Sequence, residues 1–156
     1  MTEDVNPGSV RPPTLLGIPS YLAGNVARAT TRTLTRSLAE HGLSLNQHAV
    51  LVALRDFGPM ASHEIADRLD VDRSQVVGFV DRLERDGFVT RSREAHDRRR
   101  VLISATAKSV EAERRITEAA RAAGSSLFDV LSPDELAQLV RLLRKVLDAH
   151  DDARLG

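Results

Sequence analysis

Residues 72–90, DRSQVVGFVDRLERDGFVT, decide the fold. Asp72 suits the cap of a helix, and Gln75 three positions later completes the pattern of a capping box. Val76, Val77, Val80 and Leu83 recur at helical spacing and predict a stripe turned to a core. Arg73, Ser74, Gln75, Gly78 and Arg82 are left for the other face. Gly87 is a helix stop. A short helix with hydrogen-bonding side chains at its exposed N-terminal end suits the major groove of a duplex.

On the C-terminal side, Phe88 and Val89 start a strand, and Val101, Leu102 and Ile103 belong to its partner. The charged segment between them is too polar for a core, so it predicts the loop of a β-hairpin, a wing. On the N-terminal side, Asp70 and Val71 make a turn. Before it, Ser62 is placed to cap a short helix with Ile65, Ala66 and Leu69 inward, and Glu64 in its first turn. Two short helices on so tight a turn are the signature of a helix-turn-helix. The preceding helix starts at a second capping box, Ser44 to Gln47, carries Ala49, Val50, Val52, Ala53 and Leu54, and stops at Gly58-Pro59.

The flanks read as helices as well. Residues 1–13 are polar and proline-rich, a flexible leader. Pro19 starts a helix to about His41, with Leu22, Val26, Leu34 and Leu38 on its apolar positions. Thr106 is placed to cap a helix to about Leu131, with Val110, Ile116, Ala120, Ala123 and Leu127 as its stripe and a bend at Gly124-Ser125. Ser132-Pro133-Asp134-Glu135 starts the last helix, whose stripe is Leu136, Leu139, Val140, Leu143, Val146 and Leu147. The expected fold is mainly α with a small β-hairpin wing. Its winged helix-turn-helix core spans 43–106, flanked by dimerisation helices over 14–42 and 107–150 and by a tail over 151–156. The stripes of the outer helices need a partner. A second copy of the chain would supply it and would set two recognition helices one duplex turn, ~34 Å, apart.

Composition narrows the function. The 156 residues are 42% hydrophobic but only 3% aromatic, so the core is aliphatic, which favours packed helices. Formal net charge is zero, yet Arg91, Arg93, Arg98, Arg99 and Arg100 crowd one window opposite only Glu94 and Asp97. A locally basic, globally neutral chain binds DNA if its basic patches share one face. With no cysteine, disulfides, cysteine-ligated zinc and thiol redox sensing are excluded. No histidine pair has metal-site spacing, so neither metal nor cofactor is expected. No apolar run spans a membrane and no signal peptide is present, which predicts a cytoplasmic location. No G-x-S-x-G and no phosphate-binding glycine loop occurs, so catalysis has no support.

The order of helices and wing resembles the MarR family of bacterial transcriptional regulators, over about Tyr21 to His150. Val80 to Val89, VDRLERDGFV, is similar to the family's recognition-helix end. Asp97-Arg98-Arg99 matches its D-R-R wing motif, followed in register by Ala105-Thr106, where Leu-Thr is usual, and by Ser109, where Gly is usual. The resemblance implies a homodimer with interlocked first, fifth and sixth helices, bound to a pseudo-palindromic operator, usually as a repressor. It implies that Arg99 enters the minor groove and that Asp97 steadies the wing by pairing with an arginine. It also implies release from DNA by a small phenolic or aromatic carboxylate effector, held between the dimer helices and the DNA-binding lobe.

The DNA-binding candidates are therefore Ser62, Arg73, Ser74, Gln75, Gly78, Arg82, Arg98 and Arg99. Gln pairs with adenine and Arg with guanine. Gly78 permits close approach. Arg82 is placed either for a phosphate or for Asp81 or Asp86. An arginine in a narrow A·T-rich minor groove offsets the mutual repulsion of Arg98, Arg99 and Arg100. Ser62 and His63, at a helix N-terminus, are placed to meet a phosphate. His41 and His48, with Arg28 or Arg32, are the candidates for an effector carboxylate, although each also suits a surface or packing role. The competing reading is a winged-helix protein-interaction module; it would carry apolar residues on the recognition face.

Overall fold

The computed structural model of the protein describes residues 10–155. They fall in two compact units, one ending at Ala123 and one beginning at Gly124. The first contains α1 (Pro13–Leu16), α2 (Pro19–Ala39), α3 (Leu45–Phe57), α4 (Ser62–Leu69), α5 (Arg73–Arg85), β1 (Val89–Arg93) and β2 (Val101–Ala105). Helix α6 (Ala107–Ser125) runs across the boundary, and α7 (Pro133–Leu155) lies in the second unit. The fold is helical with one antiparallel hairpin, the winged helix-turn-helix that the spacing predicts.

Local chemistry sets the helix ends. Ser44 Oγ accepts from the Gln47 N–H at 3.2 Å, and Gln47 Oε1 accepts from the Ser44 N–H at 2.8 Å, a closed capping box. Asp72 takes the N-cap position of α5, but its side chain makes no cap bond, so the expected box with Gln75 does not close. The exposed carboxylate still sits at the positive end of the helix dipole. Ser62 is not the cap of α4 but its first residue. Ala61 holds the cap position, and Glu64 Oε2 accepts the Ala61 N–H at 2.7 Å. Asp70, left-handed at φ 52°, makes the turn between α4 and α5, a conformation that Asp tolerates better than most residues. Gly87, at φ 76°, ends α5.

The aliphatic core joins Val50, Leu51 and Leu54 of α3, Ile65 of α4, Val76, Val80 and Leu83 of α5, and Val89 and Ile103 of the strands. Burying each such side chain contributes about 1.5–3 kcal/mol. The same cluster includes Leu38 of α2 and Ile116 of α6. The core thus draws on helices expected to lie outside it. Val77 differs from the expectation: it is 46% exposed. It stands about 100° round the helix from Val76, off the stripe that Val76, Val80 and Leu83 complete without it.

In the wing, Val89 pairs with Ala105, Arg91 with Ile103, and Arg93 with Val101. Strand β2 is also fastened to the segment between α3 and α4. The Ile103 N–H donates to Met60 O at 2.9 Å, and the Met60 N–H donates to Ile103 O at 3.2 Å.

The flanks depart from the sequence reading in several places. Residues 1–9 of the expected leader and Gly156 of the tail lie outside the described residues. Helix α6 stops at Ser125 rather than near Leu131; Gly124 and Ser125 end it instead of bending it, since both weaken a helix interior. Val110 is exposed and off its buried face, while the side chains of Ala120 and Ala123 lie outside the described residues. Ser132 and Glu135 close a capping box at α7, which continues to Leu155 through the stretch expected as a tail. Leu136, Val140, Leu143, Val146 and Leu147 of α7 are exposed. Among the described residues, no helix is long and apolar enough to cross a membrane.

Candidate nucleic-acid interface

Burying Val76, Val80 and Leu83 turns the opposite face of α5 outward. Arg73, Ser74, Gln75, Gly78 and Arg82 are all exposed on it. A Cβ built on Gly78 would meet nothing within 4 Å, so the helix surface is open there. Ser62, Arg73, Asp97 and Arg99 line one crevice between α4, the start of α5 and the wing. Ala61, His63, Val77, Arg100 and Val101 complete it. Gln75, Ser74, Gly78, Arg82 and Arg98 lie outside this crevice, on the exposed surface of helix and wing. His63 and Val77 belong to the same surface as the predicted contacts. A helical plot with Val77 off the core stripe was the signal for the latter.

The five wing arginines divide into two groups. Arg91 bridges back to α5, with Nη2 2.5 Å from Asp81 Oδ1 and Nη1 on Glu84. Arg100 reaches α4, with Nη2 2.7 Å from Glu64 Oε2, and also meets Glu94 at 3.2 Å. Arg91 therefore offsets one of the two negative charges that Asp81 and Glu84 place on the recognition helix, where they would repel a phosphate backbone. The Ala61 N–H and then the Arg100 guanidinium hold the Glu64 carboxyl below the usual carboxylate range. Arg93, Arg98 and Arg99 form no ion pair among the described residues. Their charge faces solvent.

Asp97 shapes the loop through the backbone. Its Oδ1 accepts the Arg99 N–H at 3.0 Å, and its carbonyl accepts the Arg100 N–H at 2.9 Å. This is an Asx turn, which holds a tight bend without regular structure. The resemblance pointed to an arginine side chain as the partner of Asp97; the structure puts the Arg99 main chain there.

The wing is also tied to the end of α5. Thr106 Oγ1 donates to Gly87 O at 2.8 Å and accepts the Ser109 N–H at 3.3 Å, so one hydroxyl caps α6 and fixes it to the recognition helix. Lys108 Nζ donates to Asp86 O at 2.7 Å and lies 4.6 Å above the Phe88 ring.

The four candidates for an effector site differ in their surroundings. No hydrogen bond or ion pair among the described residues joins any two of Arg28, Arg32, His41 and His48. Arg28 donates to Asn25 Oδ1 at 2.9 Å, and Arg32 and His41 are exposed. His48 instead enters a polar knot between α3 and α6. Glu113, only 3% exposed, accepts from Arg55 Nη1 at 2.7 Å and from the Thr117 hydroxyl. That hydroxyl has one proton and gives it to Glu113, so His48 Nε2, 3.0 Å away, donates to Thr117. Burial holds the His48 pKa below its ordinary value, with Glu113 opposing and Arg55 reinforcing the shift. Among the described residues, no group of three His, Cys, Asp or Glu side chains is placed to hold a metal ion.

Comparison with known proteins agrees with this geometry. The family model described as MarR family matches residues 43–101. The chain is 36% identical over 110 residues to the uncharacterized HTH-type transcriptional regulator YkoM of Bacillus subtilis, covering 70% of this chain and 71% of that one. A structure of mutant MarR from E. coli complexed with operator DNA superposes with a TM-score of 0.74 at 28% identity, over 85% of this chain and 96% of that one. Bordetella bronchiseptica BpsR, whose DNA binding is regulated by 6-hydroxynicotinic acid, superposes with a TM-score of 0.76 at 26% identity, over 83% and 93%.

Proposed function

The chain belongs to the MarR family of transcriptional regulators, and from that premise we propose that it is a dimeric, effector-responsive repressor of a pseudo-palindromic operator. The observation that carries the reading is the exposed N-terminal half of α5 beside a wing whose Arg98 and Arg99 form no ion pair among the described residues. Arg73, Ser74 and Gln75 meet base edges in the major groove, where Gln suits adenine and Arg suits guanine. Arg82 and Ser62 hold phosphates. Arg99 enters the minor groove, Arg98 grips its edge, and Asp97 fixes the loop that presents both. The exposed apolar face of α7 packs on a second copy, which sets the spacing of the two recognition helices. Occupying the operator in this way blocks transcription. The work is binding, without a catalytic step, and takes place in the cytoplasm.

Response to an effector follows from the same architecture. A small aromatic or phenolic carboxylate, with Arg28, Arg32, His41 and His48 as its proposed contacts, favours the dimer whose helices are wrongly spaced for one duplex. It shifts that equilibrium only by its differential affinity for the two states. The regulation of BpsR by 6-hydroxynicotinic acid supports this reading. Retention on duplex DNA as salt rises tests the DNA-binding part. Binding that weakens steeply with salt is expected, because counterions are released from phosphates. Binding that ignores salt would remove the proposal.

A further inference from the structure

We infer that Val77 reads the 5-methyl group of a thymine in the operator, an inference that rests on the reading of α5 as the recognition helix. Ser74, Val77, Gly78 and Asp81 occupy neighbouring positions on the outward face of α5, at three- and four-residue spacing. Val77 is the one apolar side chain among these four, and it is 46% exposed. The core does not need it, since Val76, Val80 and Leu83 fill that side. The wing does not cover it either: Val101 lines the same crevice, and both side chains stay exposed.

An exposed valine in the middle of a polar reading face has a chemically restricted partner. The major-groove edges of the bases present hydrogen-bond donors and acceptors, and the one apolar group there is the thymine 5-methyl. A side chain without donor or acceptor leaves the polar edge of any other base unpaired. Two features bring the methyl groups within reach. Gly78 beside Val77 has no Cβ and has open space around it, so the helix can approach the groove floor closely. Asp81, the acid on the same face, pairs with Arg91, which it shares with Glu84, so its charge repels the duplex less than a lone carboxylate would.

The test starts from operators that the full-length protein selects from a random duplex pool. Each thymine of a selected half-site is then replaced in turn by deoxyuridine, which lacks only the methyl group. At one thymine per half-site, the wild-type protein is expected to bind about fourfold more weakly, the loss for one buried methyl group. Val77→Ala should lose affinity for the thymine operator to a similar degree and be indifferent to uracil there. Val77→Thr, which keeps one γ-methyl, should fall between the two. Circular dichroism of both variants should match wild type, because the side chain is outside the core. The inference is overturned if Val77→Ala keeps the wild-type uracil sensitivity at every thymine, or if wild type has none. A wild-type protein that enriches no sequence at all would overturn the recognition-helix reading itself, and this inference with it.

Discussion

Arg100 of the wing and Glu64 of α4 form an ion pair, Nη2 to Oε2, at 2.7 Å, and the same carboxylate oxygen accepts the Ala61 N–H. One carboxylate thus caps a helix and holds the wing against the helix-turn-helix. Both partners are partly exposed, so solvent screens the pair and it adds little to stability. Arg100 directly follows Arg98 and Arg99 in the chain, so the pair also anchors the end of the loop that carries them. Glu64→Gln is expected to leave the fold intact and to weaken operator binding, measured by fluorescence anisotropy. Unchanged affinity would show that the wing is positioned without this contact.

The same group predicts a pH dependence. The folded Glu64 carboxyl titrates below its ordinary value of 4.5. Its contribution is therefore complete above that value and is lost as pH falls through the lower folded pKa. Urea titrations from neutral to acid pH should show a shallower acid loss for Glu64→Gln than for wild type.

His48 gives a second window. Burial favours the neutral imidazole, so the folded pKa lies below the ordinary 6.5. Stability from this group is complete above 6.5 and declines as pH falls toward the folded value, because the unfolded chain then binds the proton more readily. His48→Gln, which keeps a donor for Thr117, should flatten the decline in thermal melts below neutral pH. An identical decline in both proteins would assign the window to other groups.

Arg99→Ala should reduce operator affinity by roughly 1–3 kcal/mol and lower the salt slope by about one unit, with an unchanged melting temperature. Leu83→Ala, by contrast, removes a fully buried side chain and should cost about 2–5 kcal/mol in urea unfolding. Equal effects of the two on stability would contradict the division between reading face and core.

The parts legible in the sequence were those set by local rules. Two capping boxes, Ser44–Gln47 and Ser132–Glu135, closed as their spacing predicts, and the hairpin formed between Val89 and Ala105. The stripe of α5 was right at three of four positions. Val77 failed because it was counted by its apolarity alone: the positions four and seven residues on from it are Asp81 and Glu84, whereas those from Val76 are Val80 and Leu83. The Arg91 and Arg100 bridges were not legible, since Asp81, Glu84 and Glu64 come to them through tertiary structure. For the same reason Leu38 and Ile116 joined a core that the sequence reading closed without them.

The outward face of α5 and the wing tip are expected to read a duplex in two copies. Selection of bound DNA from a random pool by the full-length protein tests this most directly. An enriched inverted repeat is expected, with half-sites centred about 10 base pairs apart. A pool that stays random after selection, or a single unrepeated half-site bound by one chain, would contradict it.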